Sequence, residues 1–148
     1  MAGWSWPNGA RLALSLVVNV EEGAELNILD GDRGPDPGDE LGIVLKQPLR
    51  NFGNESNYAY GIHEGAPRVL RLLQKYQLKA TFTAAAVALE RAPQVAAGIV
   101  AGGHEVCAHG YRWAATLGMS EDKEREFIRA AAASIERTCW RGWCIPRG

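Results

Sequence analysis

Titratable side chains follow two short apolar segments of this sequence. Glu21 and Glu22 come directly after residues 12–20, and His109 comes directly after residues 104–108. Both apolar segments predict buried strands, and the carboxyl ends of parallel strands form the edge where α/β proteins carry their catalytic loops. A carboxylate can act as a general base, and a histidine can carry a proton to a leaving nitrogen. The pattern therefore predicts acid–base chemistry.

The same residues also have purely structural interpretations. Glu21 and Glu22 could be solvated loop carboxylates, and His109 could be a structural histidine at a strand end. Adjacent carboxylates repel one another, and burial raises the pKa of a carboxyl group, so one of the two glutamates could serve as a base near neutral pH. Their position after a buried strand favours the catalytic interpretation.

Candidate substrate-binding residues flank these positions. Tyr111, Arg112 and Trp113 follow His109, and they combine a planar fork of donors with aromatic faces that suit a flat, amide-rich ligand. Packing within the loop is the alternative for all three. Asn19 directly precedes Val20 and the two glutamates, where it could orient a substrate carbonyl or pair only with backbone.

Four other polar residues are expected to be structural. His104 opens the strand that His109 follows, so the two histidines should point to opposite faces of the sheet. His63 lies at the entry of a predicted helix. Asp30 and Asp32 lie in a loop rich in turn-forming residues, where aspartate usually bonds to nearby backbone.

Strand and helix patterns alternate along the chain, which predicts an α/β protein with a parallel sheet. The segment 12–20 is nearly all apolar, as expected of a strand that is covered on both faces. A long loop, 21–63, shows little periodicity. The predicted strands are 12–20, 80–84 and 104–108, and the predicted helices are 64–77, 86–90, 93–101 and 121–137.

Composition bounds the function class. The 148 residues include 16 basic and 17 acidic side chains, so charge gives no argument for nucleic acid or a membrane surface as partner. No segment is apolar enough to predict a leader or a membrane span, and a cytoplasmic location is expected. Three cysteines fit no disulfide framework, and a zinc site at Cys139 and Cys144 is disfavoured because no histidine accompanies them.

Five segments together resemble the polysaccharide deacetylase (NodB-homology) family, and within it the metal-independent allantoinase-type branch. The resemblance runs from residue 4 to residue 137. It implies a partial (β/α) barrel with about the first three βα units, and an enzyme that hydrolyses C–N bonds. The segments that carry the resemblance are 6–11, 19–23, 27–32, 58–61 and 103–113.

The sequence departs from the family at the metal ligands. Metal-dependent members use two aspartates and two histidines four residues apart, whereas this chain has Glu21, Glu22 and His109, with Trp113 at the second histidine position. An indole has no lone pair free to bind a metal, and hydrolytic zinc usually needs three protein ligands. We therefore expect no cofactor; zinc is the alternative, disfavoured by Trp113.

The resemblance implies ring opening of a cyclic ureide in purine or allantoin catabolism. Glu21 or Glu22 would activate water, His109 would assist proton transfer, and the loop 21–63 would cover a small ureide or amide substrate. Two alternatives stay open. One is a metal-dependent deacetylase of N-acetylated polysaccharide, and the other is a non-catalytic fragment or assembly module.

The end of the chain departs from the family as well. After Arg137 the resemblance ends, so residues 138–148 are expected to be a non-native tail produced by truncation or a frameshift. The chain would then be one incomplete domain, 1–148, with its core in 11–137. Because an open sheet of three strands leaves edges that need cover, we expect a homo-oligomer.

Overall fold

The computed structural model describes residues 6–36 and 47–139, and its strands form one parallel sheet. The strands are β1 (Val17–Val20), β2 (Thr81–Ala84) and β3 (Glu105–Ala108), in the order β1-β2-β3. Asn19 lies opposite Thr83, which lies opposite Cys107. Because all three strands run in the same direction, their carboxyl ends meet at one side of the sheet, here called the C-terminal edge. The expected partial barrel is confirmed.

Helices connect the strands and cover one face of the sheet. Helix α3 packs against α5, and α4 packs against both α2 and α5. The bounds are α1 (Phe52–Tyr60), a π-helical segment (Gly61–Gly65), α2 (Ala66–Lys75), α3 (Ala86–Arg91), α4 (Pro93–Ala101) and α5 (Glu121–Cys139), with short 3-10 turns at Pro7–Gly9 and Ile28–Asp30.

The core lies between the sheet and these helices. Phe82, Leu89 and Ile99 are fully buried. The segment 84–88 adds four small residues to this core, all of them alanines that are also fully buried. Alanine is a strong helix former and takes little space, so α3 can begin directly after β2 and still pack closely on the sheet.

The first strand is shorter than predicted. Only Val17–Val20 pairs with β2, and Leu12 and Leu14 are 74% and 78% exposed. The apolar pattern of 12–20 was therefore a poor guide to the strand bounds. Pairing in β2 starts at Thr81, whose N–H donates to the carbonyl of Leu16. The residues before Leu16 therefore have no partner strand in the described sheet.

The predicted loop 21–63 contains a helix that the sequence analysis missed. Asn51 begins α1, and its side-chain oxygen accepts a hydrogen bond from the N–H of Asn54 at 3.1 Å. Helix α1 continues through the π-helical segment into α2, so the helix predicted to begin at residue 64 begins at Phe52 and ends at Lys75. The segment is polar and only weakly amphipathic, which explains why periodicity did not reveal it.

The remaining helices agree closely with prediction. Helices α3 and α4 occupy the predicted positions, and Gly103 follows α4 with a positive φ of 62°. Helix α5 begins at Glu121 as predicted and runs two residues past Arg137, to Cys139. Residues 140–148, which hold most of the predicted tail and Cys144, lie outside the described residues.

One face of the sheet is not covered within the described ranges. Val17 is 59% exposed, and Asn19 and Cys107 are also exposed. Side chains alternate between the two faces of a strand, and Phe82 marks the helix-covered face. The opposite face, here called the open face, therefore carries the odd-numbered residues of all three strands. Cover on both faces of β1 was predicted, and within the described residues cover lies on one face only.

Among the helices of residues 6–36 and 47–139, none is both long enough and apolar enough to cross a membrane.

Candidate active site

Glu21 and His109 meet at the C-terminal edge of the sheet. Glu21 is the first residue after β1, and His109 is the first residue after β3. The Nε2 atom of His109 lies 2.9 Å from Oε1 of Glu21. Strand β2 lies between them, and its next residue is Ala85. A methyl group there is small enough for the longer side chains to meet above it.

Backbone pairing continues past the strands and fixes this edge. The N–H of Ala85 donates to the carbonyl of Val20 at 3.0 Å, and the N–H of His109 donates to that of Ala84 at 2.9 Å. Strand pairing thus holds the backbone of His109 and of Val20, the residue before Glu21. The carboxylate and the imidazole are within hydrogen-bond distance, so a proton can pass between them.

Glu22 has a different environment from Glu21. Its Oε2 accepts a hydrogen bond from the N–H of Glu21 at 3.2 Å. Its carboxylate packs on Gly61, where a Cβ atom would lie only 2.9 Å from Oε1 of Glu22. Gly61 therefore lets the π-helical segment approach this side chain. The two glutamates are adjacent in sequence, but only Glu21 pairs with His109.

Arg112 binds the loop that follows β1. Its two η-nitrogens donate to the carboxylate of Asp32 at 3.1 and 2.8 Å, and Nη2 also donates to the carbonyl of Glu25 at 2.7 Å. This hydrogen bonding holds the pKa of Asp32 below its usual value and raises that of Arg112. We predicted a substrate contact for Arg112, but both η-nitrogens are already bound within the chain.

A second arginine supports the same loop. Arg91 of α3 forms an ion pair with Asp30 at 2.8 Å and donates to the carbonyl of Gly23 at 2.6 Å. Asp32 also accepts a hydrogen bond from the N–H of Asn27 at 2.8 Å, so the turn-forming role expected of it is present. The sequence analysis missed Arg91, and no local pattern marks it, since its partners lie about 60 residues earlier in the chain.

Tyr111 and Trp113 lie in the loop after His109. The Tyr111 ring packs edge-on against Phe127 of α5, with centroids 6.5 Å apart. The backbone N–H of Trp113 donates to the carbonyl of Ala24 at 3.0 Å, and the residue is 38% exposed. Asn19 is exposed on the open face, two residues before Glu21. Of the four predicted substrate contacts, Asn19 and Trp113 have exposed side chains, and their role remains a prediction.

His104 lies at the opposite end of β3. It is only 5% exposed, its Nδ1 accepts a hydrogen bond from the N–H of Ala80 at 3.4 Å, and its ring lies 5.2 Å from that of Phe82. Burial lowers its pKa, and the nearby ammonium of Lys79 adds to this effect. His104 therefore packs as a neutral core side chain, far along the strand from His109. His63 lies in the π-helical segment and is exposed.

The donor set does not fit a hydrolytic metal. Trp113 supplies no ligand atom, and the Nε2 atom of His109 already lies beside Glu21. Within residues 6–36 and 47–139, no three histidine, cysteine or carboxylate side chains are grouped so that they could hold a metal ion. Cys107 is exposed and Cys139 is buried, with its pKa raised by burial.

Comparison with known proteins identifies the family. The sequence profile described as polysaccharide deacetylase matches residues 56–148. The chain belongs to the polysaccharide deacetylase family. This match runs to the last residue, past Arg137, where we expected the resemblance to end. A putative polysaccharide deacetylase of Schizosaccharomyces pombe is 33% identical over 135 residues, which are 89% of this chain and 42% of that protein.

Two solved structures resemble this family member closely. The crystal structure of PuuE allantoinase is 41% identical with a TM-score of 0.83, over 90% of this chain and 45% of that chain. A probable polysaccharide deacetylase from Pseudomonas aeruginosa PAO1 is 39% identical with the same TM-score and the same coverage. The chain thus spans less than half the length of these relatives.

Proposed function

We propose that this chain carries the catalytic edge of an allantoinase-type hydrolase that opens cyclic ureides in purine or allantoin catabolism. The observation that carries the proposal is the contact between Glu21 and His109, 2.9 Å apart at the C-terminal edge. The likeness to PuuE allantoinase, at 41% identity, supports the substrate class. The protein would act in the cytoplasm on a small neutral molecule.

The pair can perform amide hydrolysis without a metal. His109 takes a proton from water as the oxygen attacks the ring carbonyl, and the carboxylate of Glu21 stabilises the imidazolium that forms. The imidazolium then returns the proton to the leaving nitrogen as the C–N bond breaks. The products are a ureido nitrogen that carries the transferred proton and a carboxylic acid, which releases its own proton to solvent and becomes a carboxylate. Glu22 packs on Gly61 of the π-helical segment instead, which makes it the weaker candidate for the carboxylate partner of His109.

Charge near the pair favours a neutral substrate. Arg112 and Arg91 contact the loop after β1, and both are bound to aspartates. The glutamate side chains of Glu21 and Glu22 would repel an anionic substrate, and they would also repel the carboxylate that ring opening creates. A neutral ureide avoids the first repulsion, and the second repulsion favours release of its product.

The test compares matched variants of the purified chain on allantoin, with the open-chain product measured by chromatography. Glu21→Gln and His109→Ala should each lower kcat by roughly 10²-fold, the usual scale for a general base or acid. Glu22→Gln should lower it much less. Activity should survive a chelator. Equal losses for both glutamate variants would contradict the assignment of Glu21 as the partner of His109.

Two other functions predict different results. A deacetylase of N-acetylated polysaccharide would release acetate from chitin oligomers and would need added metal; the unsuitable donor set counts against it. An assembly module would show no turnover on either substrate.

A further inference from the structure

A row of uncharged polar residues crosses the open face of the sheet below the Glu21–His109 pair. Asn19, Thr83 and Cys107 lie opposite one another in the register of the three strands. Val18, Phe82 and Val106 form the neighbouring row, which contacts the core. Because side chains alternate along a strand, the row of Asn19, Thr83 and Cys107 must point to the open face.

This polar row lies within reach of one small substrate. Glu21 follows Asn19 by two residues, and His109 follows Cys107 by two residues, so all four share the open face. Two residues along a strand span about 7 Å. A five-membered ring and its substituents cover a similar length. A substrate carbonyl held at the catalytic pair would therefore place its far edge over the polar row.

Thr83 offers a free hydroxyl in this row, and Thr81 does not. The hydroxyl of Thr81 donates to Oε2 of Glu105 at 2.5 Å. In residues 6–36 and 47–139, by contrast, neither the Thr83 hydroxyl nor the Asn19 side-chain amide has a hydrogen-bond partner. Thr81 and Thr83 thus lie on the same face of β2. The Thr81 hydroxyl is hydrogen-bonded within the sheet, and the Thr83 hydroxyl is available to a ligand.

We infer that Thr83, together with Asn19, binds the edge of the substrate that lies away from the reacting carbonyl. This inference rests on the proposed function and makes its substrate class more specific. A hydroxyl and an amide both donate and accept hydrogen bonds, so they pair with the alternating C=O and N–H groups of a ureide. An N-acetyl group would place a methyl there and leave both polar groups unpaired, which costs affinity. Thr83 is therefore a residue that selects ureides over acetamides.

The experiment compares Thr83→Val with Thr81→Val, because both remove one hydroxyl from the open face of β2. Hydantoin, a neutral cyclic ureide, serves as the binding probe in calorimetry, and allantoin as the substrate. Thr83→Val should weaken hydantoin binding about tenfold, the loss expected for one hydrogen bond, and should raise KM for allantoin more than it lowers kcat. Thr81→Val should leave both unchanged, and Thr83→Ser should restore binding.

Cys107 gives a second readout that needs no turnover. It is exposed and lies in the same row as Thr83. Saturating hydantoin should slow its alkylation by iodoacetamide several-fold, measured at the Cys107 peptide by mass spectrometry, and this protection should be lost in Thr83→Val. Binding and protection without turnover would overturn the hydrolase while leaving the role of Thr83 intact. Equal binding by Thr83→Val and wild type would overturn the role of Thr83 while leaving the hydrolase intact. No binding to the wild-type chain would overturn both.

Discussion

Replacing Arg112 with methionine should show how strongly the loop after β1 is held in place. The substitution keeps much of the apolar stem and removes three hydrogen bonds, two to Asp32 and one to the carbonyl of Glu25. The side chains of Arg112 and Asp32 are 23% and 20% exposed, so the pair is mostly shielded from water. Hydrogen bonds to charged groups contribute about 1.5–3 kcal/mol. We expect the free energy of unfolding to fall by about 2–3 kcal/mol.

Urea denaturation of a double-mutant cycle isolates the pair itself. The cycle combines Arg112→Met with Asp32→Asn, and the coupling energy should be about 1–2 kcal/mol. The matched control is the pair Arg125–Glu121 on α5, whose side chains are 59% and 77% exposed. Exposed helix pairs of this spacing contribute about 0.3–0.5 kcal/mol. A coupling energy for Arg112 and Asp32 no larger than that of the control would refute this reasoning.

The same pair should make stability depend on acid. The pKa of Asp32 is lower in the folded chain than its usual 3.8. Such a carboxylate stabilises the fold fully above its unfolded pKa, and the contribution is lost as pH falls through the folded pKa. The stability difference between wild type and Arg112→Met should therefore shrink below about pH 4. A difference that is constant down to pH 2 would contradict the ion-pair interpretation.

Three further measurements follow from the structure. The pKa of buried His104 is lowered from 6.5, so the wild-type chain should lose stability as pH falls below that value, and His104→Gln should lose less in thermal melts over the same pH range. Elemental analysis after dialysis without chelator should find no stoichiometric zinc; zinc at the His109 site would overturn the metal-free prediction. Light scattering should detect self-association through the open face of the sheet, with Val17→Lys reducing it, whereas a compact wild-type monomer would contradict this expectation.

Local sequence was enough to predict the three strands, the order of α2 to α5 and the two strand ends that carry Glu21 and His109. Strands β2 and β3 and helices α3 to α5 have periodic apolar patterns, and those patterns reflect burial against a single face. The alternation of strand and helix patterns added the direction of the strands, because it is typical of a parallel sheet. Parallel strands bring their carboxyl ends together, so the meeting of Glu21 and His109 could be expected from these facts.

Local sequence was a poor guide to the ends of a strand or helix where those ends depend on a neighbouring strand or a capping side chain. Residues 12–16 are as apolar as a strand, but β2 is only four residues long, so pairing stops. Helix α1 lacks a strong apolar stripe, and its start depends on the side chain of Asn51 capping the helix. Neither outcome is encoded in hydrophobic periodicity.

Tertiary structure alone decided how the side chains share the site. Arg112 and Asp32 are 80 residues apart in the chain, so no spacing rule could pair them, and their contact engages both η-nitrogens of Arg112. Glu21 and Glu22 are neighbours with the same chemistry, but the sheet directs one toward His109 and Gly61 makes room for the other. The sequence determines which groups reach the edge, while the packing of loop against helix determines which of them remain free to react.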